Sequence, residues 1–221
     1  MNDRERSVCR YLGVRRPENL PKGQEELLRT GLKRAESASG FRWTATVPLE
    51  LKRGESGLYA GALPLEGKDI AAHLEGCTHA LLFGATLGAG VDALLRRTQV
   101  LDMAEAVVLD AAANVLIEEY ADRAEEELRQ TMRGAGFFMT GRFSPGYGDF
   151  PISVQRELIR LLDGPGKIGL TVGESFLMSP HKSITAVLGL ADRAVTGKRA
   201  GCGTCVMRNK CVYRKRGTTC D

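Results

Sequence analysis

The spacing of apolar residues predicts an α-helix in several stretches of the chain. The longest is residues 102–133, where no glycine or proline interrupts a continuous helical apolar face and the second half is charged on its other faces. Shorter segments have the same three-to-four-residue period. We expect these shorter helices at residues 3–12, 22–38, 69–75 and 88–99, and one that starts at Pro151 and is ended by Gly164-Pro165-Gly166.

Other stretches have the two-residue period of strands. Apolar and polar residues alternate from Phe41 to Leu51, and Pro48 within that run favours an edge position. Residues 52–57 are a turn by composition and residues 58–63 a partner strand, which predicts an antiparallel hairpin. Further strands are expected at residues 80–85, 137–142, 168–172 and 184–190, with residues 175–180 as strand or loop.

Strands and helices follow one another without the strict alternation of a doubly wound sheet. This order predicts an α+β fold, with antiparallel strands packed against helices that include one long central helix. We divide the 221 residues into an N-terminal helical segment (1–40), a central domain (41–192) and a basic, cysteine-rich tail (193–221). The tail has eight Lys and Arg against one acid, so the chain's net charge of +4 comes from it.

The composition is that of a cytoplasmic protein. No run approaches the roughly 18 apolar residues of a membrane span, and the charged N-terminus MNDRERSVCRYLG is unlike a signal peptide. Without a sign of export, we expect the six cysteines to be reduced.

The segment from Arg142 to Phe150 has the composition of a loop with a fixed shape. Pro145 fixes its own φ and favours an extended Ser144, while glycines at 146 and 148 permit backbone angles that a Cβ would block. Arg142 offers a planar set of donors suited to a carboxylate, and Tyr147 adds an aromatic ring. Composition alone leaves two readings open, a ligand-binding loop and a structural turn with a surface arginine.

The stretch RFSPGYGDFP (142–151), followed by KIGLTVGESFLMSPHKSITAVLGL (167–190), resembles the activation domain of cobalamin-dependent methionine synthase. The family's Arg-x-x-x-Gly-Tyr pattern corresponds to residues 142, 146 and 147, and its Glu-Ser-Phe stretch to residues 174–176. The upstream segments HALLFGATLGAGVDALLRR and LDMAEAVVLDAAAN resemble free-standing versions of the domain, so the resemblance covers roughly residues 41–190.

The resemblance implies a binding site for S-adenosylmethionine. Its arginine, here Arg142, holds the carboxylate, and its tyrosine, here Tyr147, faces the cobalamin and is the expected catalytic residue. The family threonine that precedes Glu-Ser-Phe is Gly173 here, and the family's N-terminal acidic contact matches no motif. The remaining expected binding residues are Ser144, Pro145, Gly146, Glu174, Ser175, Leu188 and Gly189.

The implied function is reductive methylation of inactive cob(II)alamin. The corrinoid would be presented by a partner chain, either methionine synthase or a related corrinoid protein, because nothing here resembles a cobalamin-binding module. An electron donor such as a flavodoxin or ferredoxin is also implied. In this hypothesis the chain orients the methyl donor and excludes water, and the chemistry belongs to the cofactor.

The tail contains a cysteine cluster that is absent from the core of the family pattern. Four thiolates on short loops can hold an iron–sulfur cluster or zinc, and a redox-active or unpaired tail is the alternative. The candidate ligands are Cys202, Cys205, Cys211 and Cys220.

Two other functions are weaker alternatives. One is a non-catalytic accessory or sensor protein for a corrinoid methyltransferase. The other is a nucleic-acid binder that uses the basic tail. The tail's composition argues against it, because only Tyr213 lies among the basic residues for stacking on bases. The three histidines, His73, His79 and His181, form no site by spacing and are expected to be core or surface residues.

Overall fold

The computed structural model describes residues 1–14, 16–54 and 57–195. Its helices are α1 (Asp3–Tyr11), α2 (Lys22–Ala38), α3 (Lys68–His73), α4 (Ala89–Leu101), α5 (Met103–Gly134), α6 (Gln155–Leu161) and α7 (Gly164–Ile168). Its strands are β1 (Arg42–Ala45), β2 (Leu49–Gly54), β3 (Gly57–Ala60), β4 (Leu63–Leu65), β5 (His79–Thr86), β6 (Phe138–Met139), β7 (Thr171–Val172), β8 (Met178–Ser179) and β9 (Ser183–Ala191). Short 3₁₀ turns occur at Pro17–Asn19 and Ile152–Val154.

Most of the strands belong to one sheet with the order β4-β3-β2-β5-β9-β6, in which β1 also pairs with β5. The pairs β2–β3, β3–β4, β2–β5 and β6–β9 are antiparallel, and β7 and β8 form a separate antiparallel pair. The predicted hairpin is β2–β3, in which Gly54 lies opposite Gly57. Antiparallel strands together with helices, including the long α5, confirm the α+β prediction.

Proline explains two differences between the predicted and observed elements. The alternating run 41–51 forms two strands, β1 and β2, that both pair with β5, and Pro48, which has no N–H to donate, lies in the break between them. Gly164-Pro165-Gly166 ends one helix as predicted but also begins α7, because proline suits the first turn of a helix. Since α7 takes up Ile168, the predicted strand 168–172 shortens to β7.

The chain divides into two compact units that interleave in sequence. Unit 1 comprises residues 1–44, 84–125 and 164–184, and unit 2 comprises residues 45–83, 126–163 and, within the described part of the chain, 185–195. None of the helices in the described residues is both long and apolar enough to cross a membrane. The predicted segment boundaries at residues 40 and 192 stay predictions.

Unit 1 contains α1, α2, α4, the first part of α5, α7 and the β7–β8 pair. A Cβ atom at Gly31 of α2 would lie 2.9 Å from Cγ1 of Val108 of α5, so glycine permits these helices to approach closely. Arg4 of α1 forms a two-pronged salt bridge with Glu119 of α5, with nitrogen–oxygen distances of 2.6 and 2.8 Å. This pair fixes the N-terminal helix to α5.

Unit 2 has an apolar core between sheet strands and two helices. The core includes Leu63 and Leu65 of β4, Ile70 of α3, Leu82 of β5 and Leu158 of α6, all nearly or fully buried. Phe143 and Phe150 from the predicted ligand loop are 4% and 1% exposed and belong to the same core. The loop is therefore anchored by apolar residues near both of its ends.

Candidate functional site

The loop from Ser144 to Tyr147 is a tight turn of the type that its sequence specifies. The N–H of Tyr147 donates to the carbonyl of Ser144 at 3.1 Å, with Pro145 and Gly146 as the two central residues. Gly146 has a φ of 91°, the left-handed angle that the third position of a type II turn requires. Its N–H donates to the carbonyl of Phe150 at 2.8 Å, so the turn is tied to the end of the loop.

The start of the loop is tied to strand β9. Phe143 and Val187 exchange both backbone hydrogen bonds, at 3.0 and 2.9 Å. Three residues before Phe143, the N–H of Thr140 donates to the carbonyl of Gly189 at 2.9 Å. Arg142 thus lies between two residues whose backbones are fixed to one strand.

Arg142 and Tyr147 lie on this fixed backbone with different exposure. Arg142 is half-buried, and its Nη1 atom is fully buried. Tyr147 is 46% exposed, and its ring meets the ring of Phe143 edge to face with centroids 5.9 Å apart. An arginine just before this turn and an exposed aromatic ring at its end suit an amino-acid carboxylate and a flat ligand surface.

Helix α3 contacts the far end of the same loop. The carboxylate of Asp149 accepts hydrogen bonds from the N–H of Lys68 at 2.7 Å and of Asp69 at 2.9 Å, and it caps α3. In return, the carboxylate of Asp69 lies where a Cβ atom at Gly148 would be. The loop and the helix therefore hold each other in place.

The C-terminal end of α3 contacts the start of the loop through His73, which is 1% exposed. Its Nε2 atom lies 3.0 Å from Oγ1 of Thr140 and 3.0 Å from the carbonyl oxygen of Gly141. The imidazole ring packs against Phe143, with centroids 4.9 Å apart. His73 is thus a core residue, which is one of the two positions that the sequence left open.

Leu188 and Gly189, two further predicted binding residues, are buried in β9. Thr140 engages both backbone groups of Gly189, because Oγ1 of Thr140 also accepts from the N–H of Gly189 at 2.8 Å. A Cβ atom at Gly189 would lie 2.5 Å from Sγ of Cys77. In this structure Gly189 permits close packing, and its contact with a ligand stays a prediction.

Glu174 and Ser175 lie in unit 1, in the exposed turn between β7 and β8. The N–H of Gly173 donates to the carbonyl of Leu177 at 3.0 Å and closes this turn. Phe176 has a φ of 61° within it. Both predicted binding residues are solvent-exposed, and their role in binding stays a prediction.

The cysteine cluster of the tail, Cys202, Cys205, Cys211 and Cys220, lies outside the described residues. Within the described part of the chain, no group of three or more metal-ligating side chains occurs. Cys9 and Cys77 are free thiols, and burial raises the pKa of both, that of Cys77 to about 11. Neither is poised as a reactive thiolate.

A cavity of about 800 Å³ lies on another side of α3, between that helix and the β2–β3 hairpin. Leu51, Leu58 and Leu74 contribute apolar side chains to its lining, and Arg53 and Glu75 contribute charged ones. None of the loop residues 142–147 lines it. The cavity is therefore separate from the predicted binding loop.

Sequence reasoning missed the residues that hold the loop, namely Asp69, His73, Thr140 and Asp149. Asp149 lies directly after the Gly-Tyr-Gly motif, and its position next to a glycine is a signal for a side chain that bonds to backbone. His73 carried no such signal, because its partners are 67 and 68 residues away in the chain.

Among solved structures, the chain is similar to one described as the crystal structure of the MetH reactivation domain bound to AdoHcy. The sequences are 19% identical, the TM-score is 0.57, and the match covers 93% of this chain and 77% of that chain. At this identity the similarity shows a shared fold. No protein-family model matches the sequence, and no curated protein does.

Proposed function

We propose that this chain is a reactivation subunit that binds S-adenosylmethionine and serves a cobalamin-dependent methionine synthase or a related corrinoid protein. The observation that carries the proposal is the loop 142–150, which presents Arg142 and Tyr147 on a backbone fixed to β9 and α3. The shared fold supports it, because the solved neighbour is described as bound to AdoHcy, the demethylated form of S-adenosylmethionine.

In this proposal Arg142 binds the carboxylate of the amino-acid end of the ligand. Its guanidinium can donate two parallel hydrogen bonds, which is why arginine suits carboxylates. The carboxylates of Asp69 and Asp149 lie along the same loop and supply negative charge for the ligand's ammonium group. The exposed ring of Tyr147 covers the bound ligand on the side from which the corrinoid approaches.

The reaction needs no acid or base from the protein. One electron reduces cob(II)alamin to cob(I)alamin, whose cobalt electron pair takes the methyl group from the sulfonium, and S-adenosylhomocysteine leaves. The role of the chain is to orient the methyl group and exclude water. Holding the two reactants in the reactive orientation removes the entropic cost of a bimolecular encounter. Ser144, Pro145 and Gly146 contribute the backbone shape of this site, and Leu188 and Gly189 are proposed as further contacts. Binding by Glu174 and Ser175 is a separate expectation that comes from the resemblance.

The corrinoid and the electron come from partner molecules in this proposal. An electron donor such as a flavodoxin or ferredoxin fits the one-electron step, and an iron–sulfur cluster or zinc held by the tail cysteines is a further proposal. We also propose that the protein is cytoplasmic. The charges of Arg142, Asp69 and Asp149 are suited to a zwitterionic amino acid and supply no site for nucleic acid.

Methyl transfer tests the proposal directly. The protein is mixed anaerobically with the cobalamin-binding module of a methionine synthase in the cob(II)alamin state, a chemical reductant and S-adenosylmethionine. Methylcobalamin, followed by its absorption spectrum, should form faster than without the protein, and R142A should abolish the acceleration. An unaccelerated reaction with intact S-adenosylmethionine binding would instead favour the non-catalytic accessory role.

A further inference from the structure

We propose that His73 is a positioning residue for Arg142, acting through a hydrogen bond from its Nε2–H to the carbonyl of Gly141. This inference rests on the proposed function in one respect: we expect His73 to affect the affinity of the protein for S-adenosylmethionine and its product. Its structural part, control of the loop backbone, stands on the contacts of His73 alone.

The geometry places a proton on Nε2 of His73. The carbonyl oxygen of Gly141, 3.0 Å away, only accepts hydrogen bonds, so the nitrogen facing it donates. The hydrogen bonds of the Thr140 hydroxyl are consistent with a proton on Nε2 of His73. Its oxygen accepts from the N–H of Gly189 at 2.8 Å and its proton is directed to the carbonyl of Gly141 at 3.0 Å, which leaves a lone pair for Nε2–H.

Gly141 is the place in the chain where such a bond controls Arg142. Thr140 and Phe143 are each fixed to β9 by backbone hydrogen bonds, and Gly141 and Arg142 lie between them. The carbonyl of Gly141 belongs to the peptide group that is bonded to Cα of Arg142. Fixing that carbonyl therefore fixes the direction of the Cα–Cβ bond from which the Arg142 side chain extends.

Helix α3 contacts both ends of the loop. At its N-terminus, Lys68 and Asp69 bond to the carboxylate of Asp149 at the end of the loop. At its C-terminus, His73 bonds to Gly141 at the start of the loop. The helix therefore spans the loop from one end to the other, and His73 bonds to the residue directly before Arg142.

Two substitutions separate the hydrogen bond of His73 from its packing. In H73F the ring against Phe143 is kept and the donor is lost, whereas in H73Q the ring is lost and an amide N–H remains at the same number of bonds from the backbone. We expect H73F to raise the Kd for S-adenosylhomocysteine roughly tenfold, and H73Q to stay within about threefold of the wild type. Calorimetry measures both values.

A second measurement is independent of the ligand. Amide hydrogen exchange at Phe143 and Tyr147 should be faster in H73F than in the wild type, with H73Q close to the wild type. T185V is the matched control, because it removes another buried hydrogen bond of unit 2, from Thr185 to Oε1 of Gln155. T185V should lower the thermal stability without changing the Kd for S-adenosylhomocysteine or the amide exchange at Phe143 and Tyr147.

The outcomes distinguish this inference from the proposed function. A wild type that fails to bind S-adenosylhomocysteine rejects the proposed function, and hydrogen exchange then decides the role of His73. Wild-type affinity in H73F, or loop exchange equal to that of T185V, overturns the role of His73 while the proposed function survives. Where H73F does not fold, H73M replaces it, because methionine has about the length of glutamine and lacks the N–H that H73Q keeps.

Discussion

The carboxylate of Asp69 lies in the space where a Cβ atom at Gly148 would begin. Gly148 also has a φ of 53°, an angle that residues with a side chain rarely adopt. The two residues are far apart in sequence, yet the loop can close on α3 only because one of them has no side chain. The second glycine of the Gly-Tyr-Gly motif is therefore a packing requirement as well as a turn requirement.

G148A should destabilise the protein by about 2 kcal/mol or more, because alanine brings both a strained φ and a clash with Asp69. Chemical denaturation measures this free energy of unfolding. G134A is the matched control, since a Cβ at Gly134 meets nothing within 4 Å and its φ is not positive. An equal effect of the two substitutions would contradict the packing role of Gly148.

Asp149 should contribute about 1 kcal/mol to stability as the cap of α3. D149A leaves the N–H groups of Lys68 and Asp69 without this acceptor, whereas D149N keeps one side-chain oxygen. We expect thermal unfolding to rank the wild type above D149N and D149N above D149A. If D149A were as stable as the wild type, the carboxylate would not be the cap.

The salt bridge between Arg4 and Glu119 should make stability depend on pH. Burial raises the pKa of Glu119, but hydrogen bonds and charge from Arg4 and Arg123 lower it by more, so the net pKa lies below its ordinary value. A lowered pKa contributes stability above the unfolded pKa of about 4.5, and this stability is lost as the pH falls through the folded pKa.

R4A tests that contribution. It should lower the free energy of unfolding by about 1 kcal/mol at pH 7, because the pair is partly exposed and screened by solvent. The difference from the wild type should shrink once acid protonates Glu119. R6A is a suitable control, since Arg6 lies on the same helix and its Nη1 atom is 3.8 Å from the carboxylate of the exposed Asp3. A difference that stays constant down to pH 3 would exclude the proposed linkage.

Cys77 should react slowly with iodoacetamide at pH 8. Burial raises the pKa of its thiol to about 11, so only about one molecule in a thousand carries the thiolate at that pH. Mass spectrometry should show the alkylation rate of Cys77 rising about tenfold per pH unit up to pH 10. The same cysteine in denaturant provides the reference, and a half-maximal rate near pH 8.5 in the folded protein would contradict this account.

Apart from α7, the helices and the central turn could be predicted from local sequence. Helix α5 was expected at residues 102–133 and is found at Met103–Gly134, because a long apolar period without glycine or proline has few alternatives. The turn at Pro145-Gly146 follows from the same kind of rule, since proline and glycine suit its two central positions. Such features depend on neighbours within four residues.

The support of the loop could not be predicted from sequence. Asp149 bonds to residues 80 and 81 positions away, and His73 to residues 67 and 68 positions away. A short helix such as α3 has no local signal for such partners, because its contacts arise only when the sheet brings distant segments together. The resemblance identified the loop by its motif, and the structure adds what holds it.

Binding of S-adenosylhomocysteine to the purified protein, measured by calorimetry, tests the central claim most directly. We predict saturable binding of one ligand per chain, weakened about ten- to a hundredfold in R142A because the paired hydrogen bonds to the carboxylate are lost. R160A should bind like the wild type, since Arg160 is exposed and paired with Glu157. Failure of the wild type to bind, or equal affinity in R142A, would contradict the account.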